Sequence, residues 1–376
     1  MLQREKYEVY GFDSSLDKPG SVSNSVKAVK SPAISQGESL CDFLIDYKQE
    51  NFPNDKPVLI PASDDYAGYI AMYDPSLSRH FDYILPEISL LKNILDKKTQ
   101  LSIVSEMGIK VPFTFKIENE KELEDLRVKI NFPVIIKPGN AGEWKKHFNF
   151  KAIKVSSDGE FAEKIREALR LGLKVIVQEI IPGDCTNNFE VSTYVSSNGK
   201  ICGLFTIRKI RQYPMEFGYG CLVETCTNKT VEKLAEKFLT ELKWRGFANL
   251  EFKFDKRTGE YYFIEVNPRV WQQIELPYEA GKINYPVILV NDLDTEAIPD
   301  TFTFKNGIKW IDVFSDMLSS LSLIKKGKLT IGDWRKSLKN TKKYGLASFK
   351  DPMPVMKDLN YGLKIFLAPL KLLKSN

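Results

Sequence analysis

Across residues 247–269 the apolar and polar positions alternate with a period of two, the repeat of strands that bury one face. Leu250, Phe252, Phe254, Tyr262, Ile264 and Val266 fall on one face, and Asn249, Glu251, Lys253, Phe263, Glu265 and Asn267 fall on the other. The polar break at 256–260 carries Gly259, so the pattern predicts a β-hairpin. With that break as the loop, Glu251 stands directly opposite Glu265, a like-charge pair that is unfavourable unless a cation lies between them. Carboxylate and amide oxygens are the hard ligands that Mg²⁺ takes. A lone Glu-x-Asn is equally what a solvated surface hairpin presents, so the flanking segments decide.

Upstream, the pattern predicts a strand over 7–13, a helix over 38–51, a strand over 57–63 and a helix from 65 onward, an alternation that suits a parallel α/β layer. No Gly-x-Gly-x-x-Gly occurs there, which argues against a dinucleotide site. A helix over 96–107 stops at Gly108 and Val111-Pro-Phe-Thr begins a new strand, marking a boundary near 95. Phe132-Pro-Val-Ile-Ile-Lys137 is a short apolar strand that delivers one lysine, and the loop 139–146 adds glycines and lysines suited to closing over phosphates. After a strand over 150–155 and a helix over 158–171, the strand 174–180 runs into Ile181-Pro-Gly-Asp184. Strands over 190–195 and 200–208 follow, the latter ending in the cations Arg208, Lys209 and Arg211, a set suited to a phosphate or a carboxylate. A helix over 230–243 returns the chain to the hairpin.

The chain has 376 residues, 43% hydrophobic and 27% charged, enough for two or three packed subdomains of an ordinary globular protein. Neither an apolar run of membrane-spanning length nor a signal-peptide pattern is present, so the expected location is cytoplasmic. Cys41, Cys185, Cys202, Cys221 and Cys226 show no Cys-x-x-Cys spacing, and His80 and His147 are the two histidines; zinc, a disulfide framework and histidine catalysis are disfavoured. From residue 305 onward 15 Lys and Arg face 5 Asp, so the tail is basic while the body is mildly acidic. Such a tail suits an anionic substrate or a membrane surface, and equally a solvated face.

Taken together, Asp96-Lys97, Val-Ile-Ile-Lys137-Pro, Gln178-Glu-Ile-Ile-Pro-Gly-Asp184, Arg208-Lys-Ile-Arg-Gln-Tyr-Pro, Asn249-Leu-Glu251 and Ile264-Glu265-Val-Asn267-Pro-Arg269 resemble an ATP-grasp enzyme over roughly 7–300. Within that superfamily the chain is most similar to the carboxylate–amine ligases that include D-aspartate ligase, and Asp351-Pro-Met-Pro in the tail also resembles that branch. The resemblance implies an α/β and α+β architecture. An ATP-grasp fold over 96–300 would follow a Rossmann-like α/β domain over 1–95, with a basic helical extension over 301–376. It implies that Lys97 and Lys137 hold the α and β phosphates, that Glu179 and the backbone at Ile181 meet adenine, and that Asp184 accepts from ribose, with Glu190 a competing candidate. Glu251, Glu265 and Asn267 would bind two Mg²⁺, with Mn²⁺ an alternative. Arg269 would stabilise the phosphoryl group, and Arg208, Lys209 and Arg211 would neutralise the γ-phosphate or orient a substrate.

The implied chemistry is ATP-dependent joining of a small-molecule carboxylate to an amine through an acyl phosphate, which needs no covalent enzyme nucleophile and needs water excluded. The loop 139–146 is the candidate lid. Cell-wall or surface-polysaccharide synthesis is the pathway the resemblance suggests; nucleic acid is not an expected partner. A nucleotide-binding regulatory protein and an ATP-grasp enzyme with a non-amine acceptor remain the alternatives. Against the family pattern the first α/β domain starts about one strand–helix unit late, which would leave an unpaired sheet position and favour an oligomer. The segment Tyr361-Gly-Leu-Lys-Ile-Phe-Leu-Ala-Pro-Leu-Lys-Leu-Leu-Lys374 sets lysines among large apolar residues. It would either dock on its own domain or make weak contact with a membrane surface.

Overall fold

The computed structural model describes residues 1–139, 144, 147–148, 152–346, 348 and 350–358. Its helices start where the sequence offers a cap. Asp96, Asn119, Ser157 and Asn228 each accept a backbone N–H from the first turn of the helix that follows, at Lys97–Glu106, Glu120–Arg127, Asp158–Arg170 and Lys229–Glu241. The helix Glu38–Asn51 matches its predicted span.

In chain order the strands are β1 (Tyr10–Asp13), β2 (Lys27–Lys30), β3 (Thr114–Ile117), β4 (Val134–Pro138), β5 (Ile153–Val155), β6 (Val175–Glu179), β7 (Asn188–Val195), β8 (Phe205–Tyr213), β9 (Tyr219–Thr225), β10 (Gly246–Asp255), β11 (Glu260–Asn267), β12 (Lys309–Ile311) and β13 (Thr341–Lys343). They form a parallel pair β1-β2, a four-stranded sheet β3-β6-β4-β5 and a seven-stranded sheet β11-β10-β7-β8-β9-β12-β13. The strand expected over 57–63 is reduced to an isolated parallel bridge between Val58 and Asp82.

The chain divides into two compact units. One comprises Met1–Lys92, Val191–Asn249 and Asn267–Asn376, the other Asn93–Glu190 and Leu250–Val266. The expected boundary near 95 thus falls close to the start of the second unit, whereas the stretch 96–300 is shared between both and 301–376 belongs with the first.

In the second unit the four-stranded sheet is antiparallel, with Lys137 opposite Ile176 and Val134 opposite Glu179. Alternation then sends Val134, Ile136, Val175 and Val177 to one face, where Leu123, Leu126, Phe161 and Ile165 of two helices bury them. The other face carries Ile135, Lys137, Ile176 and Gln178. In the first unit a larger apolar cluster gathers Tyr194, Phe205, Phe247, Trp271, Tyr285 and Trp310, and a smaller one gathers Leu40, Tyr69, Leu77 and Phe81.

Candidate functional site

Lys137 is set by the strand it ends. Its ammonium donates to Gln178 Oε1 at 2.7 Å across the β4–β6 pair, and Gln178 Nε2 donates in turn to Thr114 Oγ1 at 3.1 Å. Burial pushes the Lys137 pKa below its ordinary value, Glu265 and Glu251 pull it back up, and Lys97 pushes it down. Lys97, Glu251 and Glu265 of the predicted site therefore lie within electrostatic reach of Lys137. Lys97, the first residue of its helix, is ion-paired with Glu265 Oε2 at 3.2 Å. A positive charge thus already sits against one of the two carboxylates that were expected to need one.

The strand that bears Glu265 is clamped by a residue the sequence reading did not single out. Gln100 is fully buried, accepts the Val266 N–H at 3.2 Å, and donates to the Val266 and Ile94 carbonyls at 3.1 and 2.8 Å. Its amide fixes the backbone between Glu265 and Asn267. An amide at a helix position that the burial pattern reserves for the core was the available signal. Gln178 was likewise passed over, although it shares the face of Lys137.

The hairpin itself departs from the simple alternation. Phe263, expected on the polar face, is fully buried with its ring 5.8 Å from that of Phe252, and Phe254 lies 4.8 Å from Tyr261. At the other end Asn267 Nδ2 reaches Asn249 Oδ1 at 3.5 Å. Phe263 thus packs with Phe252 instead of lying on the polar face, while Glu251 and Glu265 both lie within electrostatic reach of Lys137.

Glu179 is opposite Val134, on the face away from Lys137, and its carboxylate accepts the Phe113 N–H at 3.2 Å. Its side chain lies away from Lys137, on the cavity that Ile180 and Ile181 also line. Ile181 is buried and lines a cavity of ≈ 600 Å³ together with Phe113, Phe132, Val134, Val177 and Arg257. Asp184 caps the 3₁₀ turn Cys185–Asn187, its Oδ1 accepting from Thr186 N and Oγ1, and those bonds hold its pKa below the ordinary carboxylate value. Glu190, the competing ribose candidate, is buried on β7. Of the candidate lid, Gly139 and the buried Trp144 are described and the remaining residues of 139–146 lie outside the described residues.

In the first unit Asn267 and Asn249 are buried, and Asn249 Nδ2 donates to Ser192 Oγ at 2.8 Å. Arg269 pairs with Asp64 at 3.3 Å and donates to the Val270 carbonyl. The three cations of β8 do not converge. Arg208 is ion-paired with Glu224 on the neighbouring strand, and Lys209 is buried. Arg211 makes a buried two-pronged contact with Asp316, Nε to Oδ1 at 2.6 Å and Nη2 to Oδ2 at 3.1 Å, with Nη1 donating to Ser337 Oγ at 2.8 Å. The register is irregular between Lys209 and Arg211.

Among the described residues no group of three or more His, Cys, Asp and Glu side chains is arranged for a metal. The two glutamates nonetheless fit a nucleotide-bound Mg²⁺. They are hard oxygen donors, Glu265 is partly exposed, and such an ion takes one or two protein carboxylates and completes its shell with phosphates and water.

Residues 103–269 match the family model described as D-ala D-ala ligase C-terminus. D-aspartate ligase from Enterococcus faecium is 26% identical over 224 residues, 57% of this chain and 53% of that protein. The carbamoyl phosphate synthase large chain from Methanothermobacter thermautotrophicus is 24% identical over 211 residues, 53% of this chain and 19% of its own length. The chain thus spans about half the length of the first of these relatives and less of the second. Among solved structures, N5-carboxyaminoimidazole ribonucleotide synthetase in complex with ADP superposes with a TM-score of 0.64 at 13% identity, covering 86% of this chain and 81% of its own. L-amino acid ligase from Bacillus licheniformis gives 0.61 at 19% identity, covering 82% and 73%. Residues 103–269 are thus similar to the D-ala D-ala ligase C-terminus family, and the chain is similar to D-aspartate ligase over about half of each protein.

Proposed function

We propose that this chain is a cytoplasmic ATP-dependent ligase that joins a small-molecule carboxylate to an amine through an acyl phosphate, in cell-wall or surface-polysaccharide synthesis. The observation that carries the reading is the Lys97–Glu265 ion pair, with Lys97, Glu251 and Glu265 all within electrostatic reach of Lys137: two cations for phosphate oxygens and two carboxylates for a divalent ion. The relationship to D-aspartate ligase and the fold shared with L-amino acid ligase support the choice of a carboxylate and an amine as substrates.

Lys97 and Lys137 hold the α and β phosphates, and the backbone at Ile181 meets the adenine edge. The ribose hydroxyls fall to one of two carboxylates, Asp184 or Glu190. Glu251, Glu265 and Asn267 hold Mg²⁺, which when bound neutralises phosphate charge as it develops. Gln178 orients the Lys137 ammonium, and Gln100 holds the strand that presents Glu265.

In the first step a carboxylate oxygen attacks the γ-phosphorus, the bond to the bridging oxygen breaks, and ADP leaves. In the second the amine nitrogen attacks the acyl carbon, the carbon–oxygen bond to phosphate breaks, and the amine gives up a proton as phosphate departs. Arg269 and Arg208 supply positive charge for these anions.

Glu265→Gln should abolish ADP release while leaving the fold intact, because the amide keeps the volume and loses the charge. Turnover at the wild-type rate in that variant would remove the metal role assigned to Glu265.

A further inference from the structure

The helix Val313–Lys325 is amphipathic in the inverted sense. Its buried residues are Ser315, Asp316, Ser319 and Ser320, small or polar side chains facing inward. Asp316 is matched there by Arg211 and by the Trp334 indole N–H at 3.0 Å, which accounts for the polar inner face. Val313, Met317 and Leu321 recur every four residues, so they stack on a single stripe. They are 47%, 40% and 56% exposed. A helix at a protein surface ordinarily buries such a stripe, and here, among the described residues, its three side chains stay about half exposed.

The borders of the stripe are informative. At its start the Tyr219 hydroxyl bonds to Asp312 and Ser315, so its part-exposed ring stands beside the first turn, with the exposed Phe217 two residues earlier. At its end lie the exposed Lys325, Lys326 and Lys328, and the following helix Ile331–Ser337 begins with an exposed isoleucine and ends with exposed Arg335 and Lys336. One of the five aspartates from residue 305 onward, Asp316, is neutralised internally, so the outward charge of this region is more basic than its composition.

We propose that this face binds an anionic phospholipid surface, with the helix lying in the plane of the interface, Val313, Met317 and Leu321 in the acyl boundary and the lysines among the headgroups. Charge complementarity decides the occupant. A second copy of the same face would bring basic flanks together, whereas an anionic bilayer offers an apolar layer beneath negative headgroups. Attachment of this kind is independent of the ligase reading.

The test is co-sedimentation of the full chain with vesicles of phosphatidylcholine alone and of phosphatidylcholine mixed with phosphatidylglycerol. Binding to the mixed vesicles, weakened by salt, is expected. The double variant Met317→Asp, Leu321→Asp should lower partitioning by about tenfold or more, with an unchanged melting temperature. Leu321→Trp, a change at an exposed position, should give an indole emission that shifts to the blue when mixed vesicles are added. The proposal is overturned by no binding to mixed vesicles, by equal binding of the double variant, or by an emission that does not move. A dimer in sedimentation velocity that the double variant abolishes would overturn it too, giving the stripe to a second copy.

Discussion

Asp316→Ala separates two roles for Arg211, a substrate ligand or a buried structural charge. The side chains of Arg211 and Asp316 are 4% and 1% exposed, and Asp316 also accepts from the Trp334 indole. Removing the carboxylate leaves a guanidinium in a dry environment with Ser337 Oγ as its remaining partner on this side. Breaking a buried ion pair costs about 3–5 kcal/mol, and a stranded indole N–H adds roughly 1 kcal/mol. At roughly 2–4 °C per kcal/mol for a large domain, the melting temperature should fall by about 10–20 °C. Replacing both partners, Arg211→Met with Asp316→Leu, should recover most of that loss, because apolar residues of similar volume remove the stranded charge. Scanning calorimetry gives the melting temperatures, and ADP titration at low temperature should find the affinity of all variants unchanged. A melting temperature for Asp316→Ala within about 2 °C of the wild type would refute the structural role.

Other predictions concern the nucleotide half. The depressed pKa of Lys137 rises again when a phosphate settles against it, so nucleotide binding takes up a proton in the window between the depressed value and the ordinary value of about 10.4, and affinity falls as pH rises through the depressed one. Titration calorimetry at a series of pH values up to ~10.4, in pairs of buffers of different ionisation enthalpy, should report that uptake, and Lys137→Arg should lose it; equal uptake by both proteins would assign the proton elsewhere. Of Asp184→Asn and Glu190→Gln, one should weaken ADP binding clearly more than the other and so name the ribose acceptor; unchanged ADP affinity in both would take the contact away from this stretch. Gly183 has φ +113° and a Cβ there would lie 2.1 Å from the amide nitrogen of the buried Asn187. Gly183→Ala should therefore destabilise its unit by about 1–3 kcal/mol and weaken ADP binding, and an unchanged melting profile would contradict the strain.

What could be read from the sequence was local. The strand bearing Lys137, the helix capped by Asp96 and the hairpin all follow from periodicity and turn residues within a dozen positions, and each is present. What could not be read depends on distant partners. Arg211 and Asp316 are 105 residues apart, so three cations on one strand looked like a cluster when one of them is spent on a helix near the other end of the chain. The packing of Phe252 on Phe263, which buries a residue that alternation puts on the polar face, cannot be deduced from strict alternation. Gln100 and Gln178 went unassigned because an amide carries no signature until its partners are known. The serine-lined inner face of Val313–Lys325 likewise makes sense only beside β8, which supplies Arg211.

The most direct test of the ligase reading is release of ADP and phosphate from Mg·ATP against a panel of carboxylic acids, amino acids and uronic acids included, each with and without amines. A carboxylate–amine ligase should release both products only when an acid and an amine are present together, with the amide visible in the mass spectrum. Release that requires the acid but proceeds to the same extent without any amine, and leaves no amide, would contradict it.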